Sequence, residues 1–365
     1  MLKRLYIDNF RCFVNFEYKP ERRQLLLGAN GSGKSSVLDT VLFLKRFIKD
    51  RENNFTQKTR TRWKPRPLQV VELEAALGDQ DYHYRLEIRY SRDEQLPSVN
   101  VERLTVSGLP AFEMVDGLIR FFTTDGAEAS TLKWKTSESA LHLAQQSNSH
   151  VSSFFDWLDS VHCFQIDPYP EVMEERADTE DSLPEYDLAN LAPWYRHLIQ
   201  VDPGENGKFL ESLREALGEF QSLRFSAEED GVRKLRADFS AATDEKITFS
   251  LSELSEGQRM LIGLYMVLHF VIAKGQTVIL DEPDNFVSPR EIQPWLLAAE
   301  DALARSKGQL ILISHHPEIL NYWAREFGLL FFREGNGQVR TKAYSTVPDT
   351  GLMPAETLAR GWENE

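Results

Sequence analysis

The stretch Gly28-Ala29-Asn30-Gly31-Ser32-Gly33-Lys34-Ser35 constrains this chain most, because it fits G-x-x-x-x-G-K-[ST] in the setting that gives the pattern meaning. Gln24-Leu25-Leu26-Leu27 before it reads as a short buried strand. Ser36 to Leu44 after it reads as a helix with an apolar stripe. Glycines let the backbone curl so that successive N–H groups point inward, and the new helix aims its positive end at the same place. Gly28, Asn30, Gly31, Ser32, Gly33, Lys34, Ser35 and Ser36 are therefore the expected nucleotide-phosphate cradle. Lys34 would reach the β- and γ-phosphates and the Ser35 hydroxyl would hold Mg²⁺.

Composition narrows the class. A chain of 365 residues has room for one large α/β domain or two smaller ones. Its net charge of −14 argues against general coating of nucleic acid or anionic membrane. Cys12 and Cys163 form no pattern, which suits a reducing cytosol better than a disulfide framework. The N-terminus alternates like a strand and lacks a signal-peptide apolar core. The most apolar run, Met260 to Ala273, is 14 residues long and contains His269, so it predicts a buried helix rather than a membrane span. The expectation is a cytoplasmic protein with no membrane partner.

Along the chain, residues 2–10 and 13–18 predict two strands, and the helix after the glycine-rich loop extends to about Asp50. From Thr56 to Arg66 the sequence T-Q-K-T-R-T-R-W-K-P-R carries five basic residues, Trp63 and no acid. Two readings stand: a nucleic-acid contact, with phosphates on the cations and a base on Trp63, or a solvated mobile loop. Residues 68–77, 82–91 and 98–107 predict an antiparallel β-section. Signals over 111–160 are weak and mixed, with a helix over Val151–Leu158, and Val161–Ile166 predicts a buried strand. Residues 171–187 hold eight acids against one arginine, a solvated loop or an acidic docking surface. Helices are expected at 188–200 and 207–220, and strands at 221–227, 232–239 and 246–251. No repeat and no sustained heptads are present.

The second informative cluster begins at Leu254-Ser255-Glu256-Gly257-Gln258, at the start of the apolar helix 258–273. Thr277 to Glu282 then reads as a buried strand ending in two carboxylates, and Gln309 to His315 as another ending in a histidine. These polar ends would fall at the carboxyl edge of a parallel sheet, where open α/β sheets hold ligands. Asp281 suits Mg²⁺, Glu282 suits a general base acting on water, and His315 can bridge that water and a γ-phosphate. Ser255, Gly257 and Gln258, at a helix start, can present hydroxyl and N–H groups to a phosphate.

Together these strings resemble the ABC-type ATPase superfamily: Walker A at 28–35, the signature LSEGQ at 254–258, Walker B at 277–282 and a switch histidine at 315. The resemblance covers roughly residues 1–50 and 247–335. The opening from Leu2 to Arg11 looks like the SMC, RecF and OLD-type group. Asp281 to Phe286 and Ser314 to Leu320 look like the stand-alone AAA/ABC ATPases of bacterial defence. The resemblance implies an α/β P-loop fold with a mixed central sheet, an antiparallel β-section and an inserted helical subdomain. It implies a split head (1–50 and 247–345), an insert (51–246) and a tail (346–365). It further implies ATP and Mg²⁺ as cofactors, hydrolysis of ATP, and a homodimer that sandwiches ATP, with Ser255 and Gly257 acting in trans and higher oligomers open. A glutamine lining the γ-phosphate, also a metal ligand, is expected at Gln165, with Gln69 second. Arg11 has two readings, approach to the nucleotide or a surface role. The lack of heptads speaks against a rod-bearing SMC protein. Only residues 346–365 follow the head, so any nuclease or other effector is expected on a separate chain, and DNA would be met through the loop 56–66. The competing expectations are an energy-coupling transporter subunit, disfavoured by the insert of more than 200 residues between Ser35 and Leu254, and a non-catalytic ATP-gated scaffold, disfavoured by the pair Asp281 and Glu282.

Overall fold

The computed structural model describes residues 1–64, 66–91, 97–134, 137–228, 232–240, 245–335, 337–345 and 351–361. Pro65 of the basic loop and residues 346–350 and 362–365 of the expected tail lie outside them. The chain opens with β1 (Leu2–Asp8), β2 (Phe16–Tyr18), β3 (Arg23–Leu27) and α1 (Lys34–Lys49). A run of strands follows: β4 (Leu68–Leu77), β5 (Gln80–Arg89), β6 (Ser98–Val106), β7 (Leu109–Val115), β8 (Leu118–Phe122) and β9 (Glu128–Lys133). Next come α2 (Ser149–Asp159), β10 (Val161–Phe164), α3 (Leu191–Val201), α4 (Pro203–Leu217), β11 (Phe220–Ala227), β12 (Arg233–Ser240) and β13 (Lys246–Ser250). The last third holds α5 (Glu256–Val267), β14 (Thr277–Asp281), α6 (Pro289–Arg305), β15 (Gln309–Ile313) and α7 (Pro317–Phe327). It closes with β16 (Gly328–Arg333), β17 (Val339–Ala343) and α8 (Pro354–Ala359).

These elements form two compact units, Met1–Val161 with Phe327–Ser345, and His162–Glu326 with Thr346–Glu365. In the first, an antiparallel sheet of eight strands runs β2-β1-β4-β5-β6-β7-β8-β9. A smaller mixed sheet pairs β3 parallel to β16, and β16 antiparallel to β17. Helix α1 buries Val37, Leu38, Val41, Leu44, Phe47 and Ile48, a stripe with helical spacing. Phe47 is fully buried and meets Phe55 edge-on at 5.7 Å, so truncating it to alanine would cost about 3–5 kcal/mol. Phe16 of β2 meets Phe331 of β16 at 5.8 Å, which ties the small sheet to the large one.

Strands β7 to β9 correct the weak, mixed reading of 111–160. Asp116 and Gly117 turn at positive φ between β7 and β8, and all six residues of β9 are exposed. A strand with no buried face leaves no alternation of apolar and polar residues to detect. The expected strand over 13–18 is shorter, confined to β2.

In the second unit β14 and β15 pair in parallel, Thr277 opposite Gln309 through Asp281 opposite Ile313, and every residue of both is buried. The apolar run reads out as α5 continued by a π-helical turn over Leu268–Ile272, buried almost throughout. His269 in that turn bridges Glu205 Oε1 (2.8 Å) and Ser212 Oγ (2.9 Å) of α4. Trp295 of α6 donates its indole N–H to the Leu264 carbonyl at 2.9 Å. Strands β11, β12 and β13 form a separate antiparallel sheet. Among the described residues no helix is long and apolar enough to cross a membrane.

Candidate functional site

The phosphate loop leaves β3 at Gly28 and enters α1 at Lys34. Gly28 has φ +131°, and a Cβ there would stand 2.2 Å from the Phe331 carbonyl oxygen, so only glycine fits. Gly33, at φ 111°, occupies the N-cap position; no side chain caps the helix and its first turn carries no acid. The positive end of α1 thus keeps its N–H groups for an anion. Lys34 is buried, and its ammonium donates to the carbonyls of Gly28 (2.7 Å) and Ala29 (3.2 Å). The Ser32 hydroxyl is buried without a hydrogen-bond partner among the described residues, the arrangement a phosphate oxygen would complete. Ser35 is exposed at the helix start, and the Ser36 N–H closes a turn onto the Gly33 carbonyl at 3.1 Å. Asn30 and Gly31 form the exposed tip.

Arg11 has φ 48° and pairs with Asp39 on the second turn of α1. Burial pushes the Asp39 carboxyl up from its ordinary range and the Arg11 guanidinium opposes that shift. The same guanidinium lies over Phe10 and Phe43, 5.8 and 5.7 Å from their centroids.

The remaining expected residues belong to the second unit. Asp281 ends β14 as a buried carboxylate. Glu282 follows in the left-handed region at φ 50°, its N–H bonded to the Ile313 carbonyl at 2.8 Å. A non-glycine residue held there stores local strain, a feature that clusters at functional positions. The Asn285 amide donates to Glu282 Oε2 at 2.8 Å and fixes the carboxylate. Asp284 is buried, and desolvation pushes its carboxyl up against a hydrogen bond from Ser314. His315 is exposed just beyond β15, while His316 Nδ1 accepts the Glu318 N–H at 3.2 Å and caps α7.

Ser255 is the N-cap of α5. Its hydroxyl and Gln258 form a reciprocal box, Gln258 N–H to Ser255 Oγ at 3.3 Å and Ser255 N–H to Gln258 Oε1 at 3.0 Å. A Cβ on Gly257 would come within 2.7 Å of the Phe286 carbonyl, so glycine lets the turn after Glu282 pack on the start of α5. The structure therefore brings Ser255, Gly257, Gln258, Asp281, Glu282 and His315 into one unit, and the glycine-rich loop and Arg11 into the other. Gln165 stands exposed just after β10, its N–H bonded to the Tyr186 carbonyl at 2.9 Å. Gln69 is fully committed elsewhere: buried, it donates to the Asn9 and Thr59 carbonyls and accepts from the Tyr90 hydroxyl at 2.7 Å.

A family described as "AAA domain, putative AbiEii toxin, Type IV TA system" matches residues 25–321, well over half of the chain. The chain belongs to this AAA family. In fold it is similar to an Smc head bound to the C-winged helix domain of ScpA, with 12% identity over 94% of this chain and 98% of that one and a TM-score of 0.55. It is also similar to an Smc head with an extended coiled coil bound to the C-terminal domain of ScpA derived from Pyrococcus furiosus, with 12% identity over 100% and 99% and a TM-score of 0.53. The AAA chain thus has the α/β fold of an ABC-type P-loop ATPase of the SMC-like group. The curated proteins hold no significant match to it.

Two arginines of this AAA chain escaped the sequence reading. Arg333, at the end of β16, donates from Nε (3.0 Å) and Nη2 (2.7 Å) to the Gly31 carbonyl of the phosphate loop. It lies 302 residues from Gly31, beyond the reach of any local pattern. Arg259 directly follows the LSEGQ string and is 1% exposed. It donates to the carbonyls of Pro168, Leu251, Ser252 and Leu254 and so pins the turn that precedes α5. Arg259→Leu leaves those carbonyls short of a donor at about 1–3 kcal/mol for each that stays buried. The melting temperature is expected to fall by several degrees in calorimetry, at roughly 2–4 °C per kcal/mol. An unchanged melting curve would remove the pinning role.

Proposed function

We propose that this chain binds and hydrolyses MgATP and works as a cytoplasmic, ATP-gated dimeric switch coupled to a separate effector chain. The observation that carries the reading is the phosphate loop itself: an uncapped helix start, the Lys34 ammonium folded onto the loop, and the buried Ser32 hydroxyl with no partner among the described residues. Lys34 would hold the β- and γ-phosphates, and the Ser35 hydroxyl and the Asp281 carboxylate, with Gln165 the candidate third, would be the ligands of a bound Mg²⁺. Mg²⁺ at such sites takes one or two protein oxygens plus phosphate and water, and neutralises charge on the transferring group. Glu282, its carboxylate set by Asn285, would accept a proton from water as the water oxygen bonds the γ-phosphorus and the bond to the bridging oxygen breaks, releasing ADP, while His315 would steady the γ-phosphate.

In the dimer, Ser255 and Gly257 of one copy complete the nucleotide site of the other, as the resemblance to ABC-type heads implies. The defence branch is supported by the strings Asp281 to Phe286 and Ser314 to Leu320 and by the matched family's description, which names a toxin of a type IV TA system. The solved Smc heads carry a ScpA domain, a precedent for a second protein docking on this fold.

DNA contact is assigned to the exposed cations of the basic loop. Two of its five cations, Arg60 and the exposed Arg66, make side-chain contacts within the fold. Arg60 lies over Tyr90 and donates to the Arg66 carbonyl at 2.6 Å, and Arg66 pairs with Asp8 at 2.8 Å. Lys58, Arg62 and Lys64 are exposed. The deciding experiment is steady-state ATP hydrolysis with and without double-stranded DNA ends, repeated on Arg62→Glu/Lys64→Glu. Stimulation by DNA, with a salt slope of binding that falls by about two in the double variant, is the expected result. A rate indifferent to DNA moves recognition onto the partner protein.

A further inference from the structure

Trp63 is nearly half exposed, at 46%, on a loop held to the fold by two buried threonines. Thr59 and Thr61 of that loop are buried; Thr61 donates its hydroxyl to the Phe13 carbonyl at 3.0 Å and its N–H to Asn9 Oδ1 at 3.2 Å. Phe13 in turn packs against Gly33, whose Cβ would sit 3.3 Å from the ring. The segment that presents Trp63 is thus anchored beside the phosphate loop rather than free in solvent.

The link between the two is Arg333. Its guanidinium spends three N–H groups on two carbonyls, Gly31 at 3.0 and 2.7 Å and Gly337 at 3.0 Å, which fixes the plane of the fork. That planar cation stands over the Trp63 ring, 5.6 Å from its centroid. One guanidinium therefore separates the tip of the phosphate loop from a large aromatic surface open to solvent. No part of the phosphate chemistry needs an indole there. A purine does: it has a π-face of matching size, is tethered to the phosphates by a ribose, and stacks on aromatic side chains irrespective of its exocyclic groups.

We propose that Trp63 is the base platform of the nucleotide site, stacking the purine of a bound nucleoside triphosphate, and that Arg333 rivets this platform to the phosphate loop. The inference rests on the MgATP reading above and adds the determinant of base affinity. Because stacking reads the ring and not its edge, ATP and GTP depend on Trp63 alike.

The test is calorimetric binding of ATP, GTP and inorganic tripolyphosphate, each with Mg²⁺, to the full chain and to Trp63→Ala and Trp63→Phe. The expected result is a loss of about five- to a hundredfold for both nucleotides in Trp63→Ala, most of it restored in Trp63→Phe, with tripolyphosphate unchanged in all three. Equal ATP affinity in Trp63→Ala and the original chain overturns the proposal. So does an equal loss for tripolyphosphate, which would make Trp63 a support of the loop only. If Trp63→Ala keeps its ATP affinity but loses affinity for single-stranded oligonucleotide, the indole serves nucleic acid instead. An original chain that binds neither ATP nor tripolyphosphate refutes the MgATP reading and the platform together, an outcome distinct from the others.

Discussion

Lys34→Ala is expected to lose ATP binding by a factor of about a hundred or more, with the fold intact. Lys34 is 6% exposed, and its ammonium rests on the Gly28 and Ala29 carbonyls at 2.7 and 3.2 Å. Those carbonyls belong to the loop that must wrap the phosphates, so the same short movement that frees the ammonium delivers it to an anion. A hydrogen bond to a charged group contributes roughly 1.5–3 kcal/mol, and a lysine serving two phosphates makes two or more. Ala29 is exposed and Gly28 partly so, which lets water take over both carbonyls in the variant. Stability should therefore change far less than affinity. Titration calorimetry with MgATP, run beside a thermal melt, separates the two. Unaltered ATP affinity in Lys34→Ala would refute the assignment of residues 28–35 as the phosphate site.

The parts of this site that could be read in the sequence are those whose physics is local. The glycine-rich loop declares itself because the strand before it and the helix after it are adjacent in the chain. The strand β14 is legible because every residue of it is buried and it reads as an apolar run up to Asp281. The contributions that stayed hidden are long-range or negative. Arg333 reaches Gly31 from the far end of the chain, and its guanidinium stands over Trp63, which the sequence offered only as a nucleic-acid base contact. Gln69 resembled a site residue, yet its amide is consumed by two carbonyls and a tyrosine inside the fold. The basic loop read as a uniform block of charge, but a cation–π contact and the Arg66 carbonyl hold the Arg60 guanidinium, and the exposed Arg66 side chain is paired with Asp8. Edge strand β9 carries no buried face and so no signal at all.

Glu282→Gln carries the second large effect and the opposite signature: binding kept, turnover lost. Glutamine matches glutamate in shape, and its carbonyl oxygen can still accept the Asn285 amide that now meets Glu282 Oε2 at 2.8 Å. The strained backbone at φ 50° is set by the turn from β14 and by the Ile313 carbonyl, neither of which the substitution touches. What disappears is the ability to take a proton from water, worth on the order of 10²- to 10⁴-fold in rate for a positioned base. Phosphate release should drop by that factor while ATP affinity stays within about twofold. With hydrolysis blocked, the ATP-bound dimer should accumulate, visible in light scattering as a doubling of mass that depends on ATP. Undiminished phosphate release from Glu282→Gln would sink its assignment as base and turn attention to His315. Lost hydrolysis without any ATP-dependent doubling would keep the base and discard the sandwich, leaving a switch that acts as a single head.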